Sequence, residues 1–160
     1  MDFPILKGKK ILVVDDEPDV LETVVELLDT ATVSTAETFD RASELIAHES
    51  FDLVILDIMG VDGFALLEKC RGRRVPAAML TAHAVNVESL NMAIKGGAVS
   101  FLPKEELHRL PELVAEILEG LERGEGHWAR LFRRLGPFFK EKLGIAWEDI
   151  DKSDFPKTYY

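Results

Sequence analysis

Five short apolar runs alternate with amphipathic segments over the first 120 residues, and this alternation constrains the fold more than any other feature of the chain. Apolar runs of this length are typical of parallel strands that are buried on both faces. The segments between them repeat apolar residues at helical spacing. The predicted strands are 11–14, 31–36, 52–57, 75–80 and 98–102.

Local signals place a helix after each strand. Pro18 suits a first helical turn, Thr38 suits an N-cap, and Gly96-Gly97 suits the end of a helix near 86–95. A long helix is predicted over about 105–122. The first helix has an apolar stripe, which comprises Val20, Leu21, Val24, Val25, Leu27 and Leu28. Five strand–helix units predict an α/β fold, a flavodoxin-like doubly wound parallel sheet in the order 2-1-3-4-5.

Composition and charge limit the function classes. The 160 residues predict one compact domain with an appendage, and the single cysteine, Cys70, cannot form an internal disulfide. Residues 121–160 carry eight basic and seven acidic residues, a net charge of +1, so residues 1–120 carry −11 in a chain whose net charge is −10. Such an acidic body disfavours direct nucleic-acid binding and suits a divalent cation. With no apolar run of bilayer length and no signal-peptide pattern, we expect a cytoplasmic protein.

Polar residues follow four of the five predicted strands. They are Asp15, Asp16 and Glu17 after the first strand, Asp57 at the end of the third, Thr81 after the fourth and Lys104 after the fifth. The carboxyl ends of parallel strands lie along one edge of a sheet, where ligands bind. We therefore expect these side chains to meet at one site.

Each residue type at this edge has a role in phosphoryl transfer. Clustered carboxylates repel one another unless a cation lies between them, and Mg²⁺ takes oxygen ligands. A carboxylate can attack phosphorus to form an aspartyl phosphate, and a metal and Lys104 can stabilise the negative charge of the transferring group. The Thr81 hydroxyl can donate to a phosphoryl oxygen. The simpler alternatives are helix or loop capping by the acids and a solvated lysine.

Four segments resemble the signature of bacterial two-component receiver domains, as in the single-domain chemotaxis-type regulators. They are ILVVDDEP (11–18), DLVILD (52–57), Thr81-Ala82 and FLPK (101–104), and the resemblance covers about residues 8–122. It implies that Asp57 accepts a phosphoryl group from a sensor histidine kinase, a phosphotransfer protein or a small phosphodonor. It also implies that Lys104 pairs with the phosphate and that Thr81 moves toward it.

The resemblance further implies a magnesium site formed by Asp16, Asp57 and the carbonyl of Met59, with Asp15 acting mainly through water. Phe101 would hold the family's aromatic switch position, although a phenylalanine at a strand end is equally well a core residue. A cis peptide bond before Pro103 would direct the lysine that follows it inward.

The chain departs from the family pattern in two places. Only Ile58, Met59, Gly60 and Val61 separate Asp57 from Asp62-Gly63, two residues fewer than is usual in the family, and we expect this shorter loop to shift the Met59 carbonyl. Glu105-Glu106 replaces the usual Pro-Phe after the lysine. His83 lies close to Thr81 and has two interpretations, an influence on hydrolysis or an exposed loop residue.

Residues 124–160 lie outside the receiver pattern of residues 1–123. Gly124-Glu125-Gly126 is predicted to be a flexible joint, and the segment beyond it has aromatic residues among arginines and lysines, which indicates an amphipathic helix kinked at Gly136-Pro137 with a frayed end. This helix has three alternatives: packing on its own receiver domain, pairing with a second copy or a partner protein, or contact with an anionic membrane, which is the least favoured. His48, His108 and His127 are predicted to lie on the surface.

The sequence thus predicts a stand-alone response regulator that signals by protein contact and has no enzymatic activity beyond Mg²⁺-dependent self-phosphoryl transfer and autodephosphorylation. One alternative is a receiver-like scaffold that is not phosphorylated, which the short loop after Asp57 favours. Another is a phosphatase with an aspartate nucleophile, similar to the haloacid dehalogenase family, with Asp15 and Glu17 as its two acids. Pro18 and Asp19 depart from that pattern, and the chain has no large cap domain.

Overall fold

A single parallel sheet organises the computed structural model, which describes residues 3–82, 86–150 and 152–155. Its strands are β1 (Lys10–Val14), β2 (Thr32–Ala36), β3 (Leu53–Asp57), β4 (Ala77–Thr81) and β5 (Ser100–Pro103). Their order is β2-β1-β3-β4-β5, with every neighbouring pair parallel. The predicted α/β class and the strand order 2-1-3-4-5 are confirmed.

Helices cover both faces of the sheet. They are α1 (Pro18–Leu27), α2 (Phe39–His48), α3 (Gly63–Gly72), α4 (Val87–Lys95), α5 (Leu110–Glu122) and α6 (Trp128–Leu143), with short 3₁₀ helices at Pro4–Leu6, Lys104–Arg109, Trp147–Asp149 and Lys152–Asp154. The predicted cap is present, since the Thr38 hydroxyl accepts from the Arg41 N–H at 3.1 Å. Among the residues that the structure describes, no helix is long and apolar enough to cross a membrane.

The sheet forms the centre of the core because four of its five strands are almost entirely buried, whereas most of β2 is exposed or half-buried. Every residue of β3, β4 and β5 is buried. The register pairs Val14 with Leu56 and Asp57 with Leu80, so the strands end close to one edge. One member of the predicted apolar stripe of α1 does not face the core: Val25 is 42% exposed, because it lies on the solvent side of the helix.

The segment after β5 differs from the predicted helix over 105–122. A 3₁₀ helix spans Lys104–Arg109, and α5 begins only at Leu110. Pro111 in the first turn of α5 explains the boundary, since it has no N–H to bond to a preceding turn and is tolerated only near a helix start.

A fixed turn, rather than the predicted flexible joint, links α5 to the extension. The Glu125 N–H donates to the Gly120 carbonyl at 2.7 Å, and the Gly124 N–H donates to the Leu121 carbonyl at 3.1 Å. With φ of +70° at Gly124, this is a Schellman motif, which glycine favours because it lacks a Cβ. The helix α6 then packs back against β5, the first of the three alternatives for the extension. Its geometry is non-helical at Leu135, beside the predicted kink.

Candidate functional site

Four strand ends position the polar side chains that the sequence singled out. Asp15 directly follows β1 and is fully buried, while Asp57 and Thr81 are the last residues of β3 and β4 and are 4% and 5% exposed. Lys104 follows β5. The structure therefore brings residues that are far apart in sequence to the same edge of the sheet.

The ammonium group of Lys104 lies between three carboxylates. Its Nζ is 2.9 Å from Asp15 Oδ2, 3.4 Å from Asp57 Oδ1 and 3.8 Å from Glu17 Oε1. Burial lowers the pKa of Lys104, but the hydrogen bond to Asp15 and the nearby carboxylate charges outweigh burial and raise it overall. Lys104 is thus a charged, inward-facing cation. The expected cis bond before Pro103 is wrong, since every peptide bond of the described residues is trans.

Asp57 is the acid whose protonation the site perturbs most clearly. Burial, with the neighbouring charge of Asp15, raises the pKa of Asp57 from 3.8 to about 6, although Lys104 acts in the opposite direction. Desolvation disfavours the carboxylate, and one cation is shared among several acids, so it does not compensate fully. Additional positive charge at this edge is therefore favourable.

Three consecutive acids form a group with the geometry of a cation site. Ligand oxygens of Asp15, Asp16 and Glu17 lie within 4.8 Å of one another. The Glu17 N–H donates to Asp15 Oδ1 at 2.9 Å, which fixes the orientation of the buried carboxylate. All donors are hard carboxylate oxygens, the type of ligand that Mg²⁺ prefers.

Gly60 supports this group from the loop after β3. A Cβ at Gly60 would lie 2.5 Å from both Cγ and Oδ2 of Asp16, closer than van der Waals contact allows. Gly60 also has a φ of +75°, which favours glycine. The Asp16 carboxylate therefore depends on the missing side chain at Gly60 for its position.

The loop after Asp57 is closed by two short-range hydrogen bonds. The Val61 N–H donates to the Met59 carbonyl at 2.7 Å, and the Gly63 N–H donates to the Ile58 carbonyl at 3.2 Å. The Met59 side chain is 75% exposed. Its carbonyl already has one donor, so it has one lone pair left for a metal. This tight turn is the structural consequence of the shortened loop.

Thr81 and Phe101 lie on the last two strands of the sheet. The Thr81 hydroxyl donates to the Ala82 carbonyl at 3.3 Å, a long bond that leaves the group available for a stronger acceptor. Phe101 is fully buried. His83, which the sequence placed beside this site, lies outside the described residues.

A second polar cluster was missed because His127 was predicted to lie on the surface. His127 is 2% exposed, and its Nε2 donates to Glu116 Oε2 at 3.2 Å. Its Nδ1 and the Ser100 hydroxyl share a hydrogen bond of 2.8 Å. The hydrogen bond from His127 and the charge of Arg134 outweigh burial and lower the pKa of Glu116. The one sequence signal for this cluster was Glu116, an acid on the apolar side of α5 that needs a buried partner. His48 and His108 are exposed, as predicted.

Comparisons with known proteins agree with this geometry. Residues 11–117 match the family model described as the response regulator receiver domain. The response regulator protein PilR from Pseudomonas aeruginosa is 37% identical in an alignment that covers 81% of this chain and 30% of PilR. The nitrogen assimilation regulatory protein NtrX from Azorhizobium caulinodans is 37% identical over 69% of this chain and 26% of its own length. The transcriptional regulatory protein CpxR from Escherichia coli is 33% identical over 75% and 51%. The chain spans about half or less of these relatives.

Solved structures give the same result. A CheY-like response regulator receiver domain protein from Methanospirillum hungatei superposes with a TM-score of 0.67 and 26% identity, covering 73% of this chain and 98% of that one. The BeF₃-activated receiver domain of DrrB, a Thermotoga maritima protein, gives a TM-score of 0.63 and 28% identity over 70% and 98%. In both, nearly the whole neighbour corresponds to the sheet and helices that carry the acidic site.

Proposed function

Because the chain belongs to the response regulator receiver domain family of two-component systems, we propose that it is a phosphorylation-dependent switch. Asp57 accepts the phosphoryl group beside a bound Mg²⁺, and the phosphorylated chain signals by protein–protein contact. Receiver domains are generally signalling domains rather than enzymes, so the chemistry is limited to self-phosphoryl transfer and autodephosphorylation. Residues 1–123 form the receiver domain in this proposal, and residues 124–160 form its helical extension.

The observation that carries the proposal is the position of Lys104 between Asp15 and Asp57. Its Nζ contacts both buried carboxylates, at 2.9 and 3.4 Å. A phosphoryl group on Asp57 adds roughly 1.5–2 negative charges, and the lysine is placed to form a charge-assisted bond with it. A lysine that only closed the end of β5 would need no contact with two acids from other strands.

The transfer step uses a carboxylate oxygen of Asp57 as the nucleophile. This oxygen forms a bond to phosphorus while the bond from phosphorus to the donor breaks, a nitrogen–phosphorus bond for a phosphohistidine or an oxygen–phosphorus bond for an acyl phosphate. The electron pair of the broken bond leaves with the donor. Autodephosphorylation transfers the same group to water.

The residues at this edge fit Mg²⁺, which supplies positive charge to the phosphoryl oxygens when bound. Asp16, Asp57 and the Met59 carbonyl would hold it, with Asp15 acting through water. The acidic group at Asp15–Glu17 and the raised pKa of Asp57 support a cation here. The turn that engages the Met59 carbonyl is the one feature that favours the alternative function, an interaction scaffold without phosphorylation.

The partners in this proposal are proteins. A sensor histidine kinase or phosphotransfer protein supplies the phosphoryl group, and a downstream protein, or a second copy in a homodimer, reads the phosphorylated state. We expect no direct contact with nucleic acid, because the negative charge of residues 1–120 would repel the phosphate backbone.

Incubation with Mg²⁺ and acetyl phosphate, followed by intact-mass measurement, tests the proposal. We expect a species heavier by about 80 Da, the mass of one phosphoryl group, and none in Asp57→Asn. Lys104→Met should greatly reduce its amount, whereas Lys95→Met at the end of α4 should not. If the chain gains no mass, the result supports the alternative function, an interaction scaffold that is not phosphorylated. If the gain in mass persists in Asp57→Asn, another residue carries the modification.

A further inference from the structure

Two adjacent residues at the start of α6 hold two adjacent residues of β5, the edge strand of the sheet. The ring of His127 shares a 2.8 Å hydrogen bond with the Ser100 hydroxyl, and the ring of Trp128 packs on that of Phe101 with centroids 6.4 Å apart. Successive side chains of a strand point to opposite faces. The start of α6 therefore contacts β5 on both faces of the sheet. It covers the edge strand at the place where another chain could otherwise bind.

The first two turns of α6 are anchored to the loop before β5 and to α5. The indole N–H of Trp128 donates to the Ala98 carbonyl at 2.9 Å, and Trp128 is 2% exposed. Arg134 forms ion pairs with Glu112 and Glu116 of α5. We call the area formed by β5 and α5 under α6 the β5–α5 surface. Apolar packing, a buried polar network and ion pairs together hold α6 on the β5–α5 surface.

The rest of the extension packs on Trp128 through a continuous aromatic cluster. Its members are Trp128, Phe132, Phe139, Trp147 and Phe155. The Trp128 and Phe155 rings are 5.8 Å apart, and Phe155 is 5.4 Å from Trp147. These separations are typical of favourable aromatic pairs. Displacement of Trp128 would therefore affect the extension as a whole.

The strand β5 connects this docking to the phosphoryl site. Its register pairs Met79 with Phe101 and Thr81 with Pro103, so Thr81 and Phe101 lie on the same face of the sheet. Lys104 follows the last residue of the strand. The side chain that supports Trp128 and the hydroxyl expected to bind the phosphoryl group are thus near neighbours on one face.

We propose that α6 is an internal ligand of the β5–α5 surface and that a phosphoryl group on Asp57 weakens its docking, which frees the surface for a partner protein. This rests on the function proposed above. The partner that fits has the chemistry of α6 itself: an amphipathic helix with an aromatic residue for Phe101 and a basic residue for Glu116.

The direction of the effect follows from packing. Among the residues that the structure describes, the Thr81 hydroxyl donates one long bond, to the Ala82 carbonyl, and a phosphoryl oxygen is a stronger acceptor. Movement of Thr81 toward that oxygen leaves space on the face that it shares with Phe101. Because cores pack without voids, Phe101 moves into that space and away from Trp128. The contact that holds the start of α6 is then lost.

The tryptophans give a direct test, because both lie in the extension. In the full-length variant Trp147→Phe, the remaining emission comes from buried Trp128. After phosphorylation with Mg²⁺ and acetyl phosphate, we expect a red shift and stronger quenching by acrylamide, both absent when Asp57→Asn is added. The intact mass of the same samples separates the outcomes. Phosphorylated protein with unchanged Trp128 emission overturns this inference alone, whereas protein that gains no phosphoryl group overturns the proposed function as well.

Linkage requires the reverse effect, which a matched pair of variants measures. Trp128→Phe should increase the affinity for beryllofluoride, a phosphoryl mimic, by about fivefold in saturating Mg²⁺, the lower range of coupling between sites. Trp147→Phe makes the same substitution away from Phe101 and should leave the affinity unchanged. Isothermal titration calorimetry gives both values, and circular dichroism confirms that each variant is folded. Equal affinities in the two variants would refute the coupling. If Trp128→Phe does not fold, the test of the inference is the Trp128 emission of the Trp147→Phe variant described above.

Discussion

Replacement of Asp57 by asparagine should stabilise the fold at neutral pH, although it removes the residue that the proposed function needs most. Asp57 is almost completely buried, and its pKa is raised from 3.8 to about 6 by burial and by Asp15. Its ionised form is therefore less favourable in the folded chain than in the unfolded one. Asparagine has nearly the same shape and no charge to desolvate.

The pKa gives the size and the pH dependence of this effect. A shift of about two units at roughly 1.4 kcal/mol per unit corresponds to about 3 kcal/mol. Below pH 3.8 the Asp57 carboxyl is protonated in both the folded and the unfolded chain, so it does not lower the free energy of unfolding. Between pH 3.8 and about 6 the folded chain binds more protons than the unfolded chain, so its stability falls as pH rises. The full cost is present above this range.

Urea unfolding without Mg²⁺, at about pH 4 and about pH 8, measures the difference. We expect Asp57→Asn to exceed the wild type by about 3 kcal/mol at the higher pH and by little at the lower pH. Saturating Mg²⁺ should reduce the difference, because a bound cation compensates the carboxylate. Asp29→Asn makes the same change at an exposed position and controls for the loss of charge. An equal difference at both pH values would contradict the argument from Asp57 ionisation.

Three other substitutions test single contacts. Gly60→Ala should lower Mg²⁺ affinity at least about tenfold in calorimetry, because it displaces the Asp16 carboxylate, whereas Gly8→Ala, which has the same positive φ but open space, should not. His127→Leu should cost about 3 kcal/mol of unfolding free energy, since Ser100 and Glu116 lose a buried partner, and His48→Leu should cost little. Gly124→Ala should cost about 1–2 kcal/mol through strain in the turn after α5, while Gly136→Ala inside α6 should be neutral or stabilising in the same unfolding assay.

The sheet was predictable because buried strands leave a strong local signal. Each of the five apolar runs became a strand within about two residues of its predicted limits. One of the two largest deviations, the late start of β4, is explained by a single residue: Pro76 has no N–H for the ladder, so β4 begins at Ala77. The same pattern places Asp57 at the end of a strand. It also places Asp57 close to Lys104, because both residues lie at the carboxyl ends of parallel strands.

The extension was only partly predictable because its contacts join distant parts of the chain. Nothing near His127 indicates that its ring meets Ser100, 27 residues before it, or Glu116 on the preceding helix. The pair Gly124 and Gly126 is typical of flexible linkers, yet the first glycine closes a Schellman motif. That difference depends on hydrogen bonds to α5 rather than on composition.

The loop after Asp57 shows the same limit at the site itself. Its length was evident from the sequence, but the hydrogen bond that engages the Met59 carbonyl was not. The role of Gly60 was also hidden, because it depends on the approach of Asp16 from the loop after β1. Residue identity thus predicted which groups meet, while loop closure determines how each is oriented.

The short length of β5 supports the inferred coupling between its two ends. The strand has four residues and spans about 13 Å. One end is held by the ring of His127 at Ser100, and the other leads to Lys104 among the acids. A stiff, hydrogen-bonded strand transmits a shift at one end to the other instead of absorbing it. Under the inference drawn above, a change in charge that moves Lys104 or repacks Phe101 therefore acts on the contacts that His127 and Trp128 make with β5.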